Sequence, residues 1–320
     1  MWYSRLVLAA LFCVVVTDSA FGQGYPNRPI RLIIGTTAGT PPGLAALTLR
    51  EELGRRAITL VPEARPGAAG LIAGELVARA RPDGYTLLVV PSSYLSVTPH
   101  FHATMPFYPL EDLVPVVRLF VQQFVLAVPA RSPLYSVADL VAAAKERPST
   151  LLYGSSGVGS GQHLSGEMLS SLTGVQLVHV PYQGSGSLPD ILSGRLDAVF
   201  SSTLITLPGV QGGKLRALGQ TGGERSRLFP TVPTIGESIR GFRVDPWIAI
   251  FAPKGTPSAV VEFLNAEVTA ALERADVQQA MAARDELFVR NRPQENAVRL
   301  REDSARYGTL IKTLGIKPAP

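Results

Sequence analysis

The serines, glycines and imidazole of the stretch YGSSGVGSGQH (153–163) form the densest group of potential chemistry in the chain. Ser155, Ser156 and Ser160 could act as nucleophiles or hydrogen-bond donors, His163 could act as a base, and the glycines would let backbone N–H groups approach a ligand closely. Each catalytic pattern fails on a specific residue. Gly154 and Gly159 match the first two glycines of a phosphate-binding P-loop, yet Ser160 and Gly161 stand where that loop needs Lys and Ser or Thr. The nucleophile elbow G-x-S-x-G requires a glycine two residues after its serine, and Ser156 is followed there by Val158. A dinucleotide fingerprint opening at Gly157 and Gly159 reaches Gln162 in place of its third glycine.

The remaining titratable residues point away from catalysis. His100 and His102 lie beside Pro99 with no acidic or third imidazole ligand near them in sequence, so no metal site is expected. His179 alternates with Val178 and Val180 and reads as a strand residue with a structural partner. The pairs Asp190/Asp197 and Glu111/Asp112 lack the apolar isolation that would shift a carboxyl for acid–base work, and read as solvated charges or helix caps. Cys13 is the single cysteine, which leaves the rest of the chain without disulfide, thiolate ligand or thiol nucleophile. What remains is anion capture. A Gly/Ser loop running into a helix presents unpaired N–H groups and the positive end of the helix dipole, and holds a carboxylate without a charged side chain. A second loop, GTTAGTPPG, offers Thr36, Thr37, Gly39 and Thr40 in the same role. Two such loops facing each other would form a cleft for a small acid; two ordinary strand-to-helix connections are the alternative reading of the same residues.

The elements that would position these loops are legible as alternating runs. Short apolar segments at IRLII, TLLVV, FVLAV, LVHVP and LDAVF read as strands. Between them LAALTLREELG, SVADLVAAAKE and LPDILSG read as helices, the first and last closed by glycine. The alternation predicts an α/β chain with mostly parallel sheets. Near the C-terminus, Val260, Phe263, Leu264, Val268 and Leu272 fall at helical spacing, and a last helix offers Val298, Tyr307, Leu310 and Ile311 to a core.

Composition sets the class. With 320 residues, 17% charged and 46% hydrophobic, the chain is long enough for one large or two ordinary domains and too apolar for disorder. Its net charge of +5 is carried by scattered Lys and Arg without basic runs or interleaved aromatics, so nucleic acid is not an expected partner, whereas a mild positive field suits small anions. The opening MWYSRLVLAALFCVVVTDSAFGQG has Arg5, an apolar run from Leu6 to Val16 and small residues up to Gly22, the three-part pattern of a signal peptide over 1–22. That run is too short to span a bilayer.

Taken together, YPNRPIRLII, RPGAAGLIAGELVARARPDGYTLL, YGSSGVGSGQHLSGE, VHVPYQGSGSLPDILSGRLDAVF, GGKLRALGQT, FPTVPTIGES and APKGTP, in this order, resemble the substrate-binding proteins of tripartite tricarboxylate transporters, the Bug receptors. The resemblance implies a two-lobe α/β periplasmic binding protein fold of type II with the ligand cleft between the lobes. It implies lobe 1 over 23–124, lobe 2 over 125–247 and a return to lobe 1 over 248–320. It also implies no catalysis, no cofactor, a periplasmic location, a monomer, and delivery of a small carboxylate to the membrane components of a transporter. Carried onto this chain, the family's ligand-binding loops are Thr36, Thr37, Ala38, Gly39 and Thr40; Ser92 and Ser93; Ser155, Ser156, Gly157, Val158, Gly159 and Ser160; and Ser201 and Ser202 after the LDAVF strand. The chain departs from the family pattern at Thr40 and Gly43 in the first loop, where a glycine and an acid are usual. Val158 replaces an asparagine, and Ser201-Ser202 replaces Asp-Asn. Two other readings compete: a secreted serine hydrolase using Ser156 or Ser160 with His163, and a ligand sensor feeding a membrane kinase.

Overall fold

The computed structural model describes residues 24–313 and Gly315; the expected signal peptide and Cys13 lie outside the described residues. In chain order the strands are β1 (Ile30–Ile34), β2 (Leu60–Ala64), β3 (Thr86–Pro91), β4 (Leu113–Val121), β5 (Phe124–Pro129), β6 (Leu152–Ser155), β7 (Val178–Pro181), β8 (Ala198–Ser202), β9 (Leu215–Gln220) and β10 (Trp247–Pro253). The helices are α1 (Pro41–Gly54), α2 (Leu71–Ala78), α3 (Ser93–Ser96), α4 (Pro109–Asp112), α5 (Val137–Glu146), α6 (Gly161–Thr173), α7 (Leu188–Ser193), α8 (Thr203–Gln211), α9 (Ser258–Leu272), α10 (Ala275–Ala282) and α11 (Pro293–Thr313). No helix among the described residues is long and apolar enough to cross a membrane.

The strands form two five-stranded sheets, ordered β2-β1-β3-β10-β4 and β7-β6-β8-β5-β9. The five expected strands are present, LDAVF shifted onward as β8. The expectation of mostly parallel sheets is met by four of the five strands in each sheet, with one strand reversed. In the first sheet β1 pairs in parallel with β2 and β3, but β10 runs antiparallel between β3 and β4. The second repeats the plan, with β6 parallel to β7 and β8 and β5 antiparallel between β8 and β9. In each sheet one central strand arrives from the other sheet and enters in the opposite sense. That direction is fixed by the crossover, and a periodicity argument does not contain it.

Two crossovers join the sheets. The first is Gln122-Gln123, between β4 and β5; the second passes through Asp245 and Pro246 into β10. They lie side by side, with the Gln122 N–H donating to the Pro246 carbonyl at 2.6 Å. β10 is buried along its whole length, so it must be covered on both faces. On one face α9 packs Val260, Leu264, Val268 and Leu272 against Ile30, Leu32 and Ile248, with Phe263 partly buried at the edge. The terminal helix α11 serves both sheets. Leu300 packs with Trp247 and Phe251 of the first, while Tyr307 and Ile311 enter the core around Phe124 and Phe200 of the second. Val298, expected in the core, is 51% exposed. The buried face of α11 runs through Leu300, Ser304, Tyr307 and Ile311 at i+3 and i+4 spacing, and Val298 sits two residues, more than half a turn, from it.

Candidate functional site

Four strand ends converge between the sheets. β1 leads into Thr36–Thr40, β3 into Ser92 and Ser93, β6 into Ser156–Ser160, and β8 ends on Ser201 and Ser202, all at the carboxyl ends where open α/β sheets leave room for ligands. Thr36, Thr40, Ser93, Ser156, Ser201 and Ser202 line one chamber of about 30 Å³, floored by Pro41, Pro42, Phe124, Phe200 and Ile205. This is roughly one water's share of liquid volume. A second chamber of about 350 Å³ meets it along Thr36, Tyr94, Ser156 and Gly184, and adds Gly157, Val158 and the turn Gly67–Gly70. Neither chamber is lined by Asp, Glu, Lys or Arg.

Hydroxyl protons decide what these residues can offer. Thr40 donates to the Thr37 carbonyl at 2.6 Å, so Thr36 must donate to Thr40 Oγ1, also at 2.6 Å, and neither has a proton to spare in this arrangement. Ser156 donates to Gln162 Oε1 at 2.7 Å, and Ser202 Oγ accepts from the Ile205 N–H at the start of α8. Ser93 differs: it is 2% exposed and its Oγ has no partner among the described residues. The N–H groups of Thr36, Thr37, Ala38 and Gly39, and of Ser156 and Val158, likewise have no protein acceptor among the described residues. At α1 these loop amides matter more than the helix end, because Pro41 and Pro42 occupy its first positions and carry no N–H. α6 keeps its first-turn donors.

Several expected ligand residues also hold the scaffold. Ser160 is fully buried; its Oγ accepts from the His163 N–H at 3.2 Å as the α6 N-cap and donates to the Gly157 carbonyl at 2.7 Å. Ser92 closes the end of the first sheet on Trp247, donating its N–H to the Trp247 carbonyl at 2.6 Å and accepting the Trp247 N–H on Oγ at 3.1 Å. Ser155 accepts the Gly157 N–H at 3.0 Å and meets His179 Nε2 at 2.6 Å. Gly159, at φ +79°, lies against Thr98, whose hydroxyl donates to the Gly159 carbonyl at 3.1 Å. Thr37, Ala38 and Gly39 border the chambers without lining them. Sequence reasoning missed Tyr94, whose OH lies 3.5 Å from Ser156 Oγ, and the turn Gly67–Gly70, where Ala68 and Ala69 adopt φ of 45° and 46°. The signal for both was present: a tyrosine directly after Ser93, and two alanines between glycines in RPGAAG.

The hydrolase constellation is not assembled. His163 Nδ1 accepts the Gly159 N–H at 3.1 Å, which places the ring proton on Nε2, 3.7 Å from Glu167 Oε1. Its ring stacks on His179 at 4.0 Å and packs against Phe101. Burial, reinforced by His179, brings the His163 pKa down to about 3, and burial brings His179 to about 4, so both rings are neutral near pH 7. Neither Ser156 nor Ser160 directs its hydroxyl at His163.

The chain matches the model of the tripartite tricarboxylate transporter family receptor over residues 44–316. It is similar to a UPF0065 protein of a Pseudomonas species from a tcbD–tcbE intergenic region, with 36% identity over 87% of this chain and 84% of that protein. Among solved structures it is similar to an R. palustris protein with adipate, at 30% identity, TM-score 0.87, and coverage of 92% of this chain and 100% of that one. MatC from Rhodopseudomonas palustris with bound malate is similar at 27% identity and TM-score 0.84, over 90% and 100% of the two chains. The paired five-stranded sheets, the loops at their strand ends and these matches agree, and the chain belongs to the tripartite tricarboxylate transporter receptors, a family of periplasmic solute-binding proteins and not of enzymes.

Proposed function

We propose that this chain is a periplasmic receptor that captures a small organic acid and delivers it to the membrane components of a tripartite tricarboxylate transporter. The observation that carries the reading is the cleft itself: Thr36, Ser156 and Val158, whose amides have no protein acceptor among the described residues, and Ser93, whose hydroxyl has no partner among them, line a space without charged side chains among the described residues. Such a lining stabilises an anion through dipoles and offers a cation no counter-charge. A carboxylate seated where the two chambers meet, at Thr36, Tyr94 and Ser156, would place its carbon body in the 350 Å³ chamber. The adipate and malate bound by structural neighbours support this ligand class. The lobes we assign are 23–124 with 248–320, and 125–247, closing about the paired crossovers at Gln122 and Pro246.

A thermal-shift screen of the mature protein against mono- and dicarboxylates, with matched amines and amides as controls, tests the reading. An acid at about 100 times its dissociation constant should add roughly 2.7 kcal/mol of stability. Stabilisation by amines alone, or by no acid, would overturn it.

A further inference from the structure

A larger cavity, about 490 Å³, shares Gln122 and Ser202 with the hydroxyl-lined chamber and opens around the crossovers. Its walls come from both sheets: Gly222–Arg227 follows β9 of the second, and Arg284–Val289 follows α10, which packs on the first. Its chemistry is unlike the uncharged cleft. Asp245 is 7% exposed and Glu286 3%, and each spends one carboxylate oxygen on an arginine: Asp245 Oδ2 on Arg243 at 2.6 Å, Glu286 Oε2 on Arg284 at 2.8 Å. The other oxygens, Asp245 Oδ1 and Glu286 Oε1, are buried without a hydrogen-bond donor among the described residues, as is Gln123 Oε1. Arg306 stands 3.7 Å from Asp245 Oδ1, too far for a hydrogen bond. Burial outweighs the help of Arg284 and pushes the Glu286 carboxyl above its usual range.

The cavity is also cleared for polar groups. A Cβ on Gly222 would collide with the Gln123 carboxamide, and one on Gly223 would stand 3.1–3.3 Å from the Arg243 guanidinium, so both side chains lie over bare backbone. Arg227 and Asp285 line the same space, and the Arg227 backbone N–H donates to Asp285 Oδ1 at 3.3 Å; the Arg227 guanidinium has no acid within 4.0 Å among the described residues, whereas that of Arg225 is bound to Glu237. One cavity therefore holds buried acceptors lacking donors and a guanidinium lacking an anion. Buried acceptors left unmatched cost free energy that a complementary ligand would recover.

We propose that this cavity is a second binding site, distinct from the carboxylate cleft, for a small zwitterion of the amino-acid class, its ammonium donating to Asp245 and Glu286 and its carboxylate facing Arg227. Because the walls belong to both sheets, occupancy favours the arrangement of sheets described above. Calorimetry on the mature protein with glycine, L-alanine, L-glutamate and L-lysine tests this, with adipate and N-trimethylglycine as controls. At least one amino acid should bind and N-trimethylglycine, which has no N–H, should not. Arg227→Ala, at an exposed side chain that should not disturb folding, and Glu286→Gln should each weaken amino-acid binding at least tenfold and leave adipate binding within twofold. The proposal is overturned if no amino acid binds, if Arg227→Ala binds amino acids as the wild type does, or if adipate displaces them, which would locate them in the cleft.

Discussion

The carbonyl of Ala38 lies over the position that a Cβ on Gly43 would take, closer than real atoms approach, so the first loop folds onto the helix that follows it through a bare glycine. The family pattern has an acid at this position, and here its space belongs to the loop backbone. Gly43→Asp should therefore not restore an acidic determinant. It should lift the Thr36–Thr40 loop, lower the melting temperature by the equivalent of about 1–3 kcal/mol, and weaken acid binding. Paired melts and calorimetry check it; a stable variant with unchanged affinity would show that the loop is freer than this contact requires.

Ser93→Ala separates a binding role from a structural one. Its hydroxyl is buried without a partner among the described residues, so removing it should leave the ligand-free protein as stable as before or slightly more so. Loss of a hydrogen bond to the bound acid should cost about 1 kcal/mol, roughly a fivefold drop in affinity by calorimetry. Equal affinity would place the ligand away from α3.

Ser160→Ala should do the reverse. As the α6 cap with a fully buried hydroxyl, Ser160 contributes about 0.5–2 kcal/mol to stability, measurable by urea unfolding. A loss of affinity without loss of stability would contradict the capping role.

The stacked imidazoles predict an acid-sensitive fold. Both folded pKa values, about 3 for His163 and about 4 for His179, lie below the ordinary value of 6.5, so the unfolded chain takes up protons first as pH falls. Their contribution is complete above 6.5 and is lost progressively toward about 4 for His179 and about 3 for His163. Between pH 7 and pH 5 the loss should be roughly 2 kcal/mol for His163 and less for His179, which solvent reaches. Urea unfolding at the two pH values should show a smaller drop in His163→Gln than in the wild type; equal drops would mean that the ring is protonated in the fold.

Sequence reasoning reached the strands whose runs are wholly apolar and the loops whose residues are hydroxylic, because burial and hydrogen-bonding capacity are written in residue type. It did not separate Ser156, which faces the chambers, from Ser155 and Ser160, which face inward, since all three sit in one loop and only its backbone path distinguishes them. His179 illustrates the same limit. Its strand position was legible, but its partners are Ser155, eight residues before His163, and the His163 ring, brought together by the pairing of β6 with β7.

The position of β10 has a further consequence, for the order in which the chain can become structured. β4 joins the first sheet only through β10, so residues 30–121 cannot complete their sheet until synthesis has passed residue 253. The second sheet is drawn wholly from residues 124–220 and has no such dependence. The middle of the polypeptide can consolidate while its beginning waits for its end, a delay of the kind that long-range strand pairing imposes on folding.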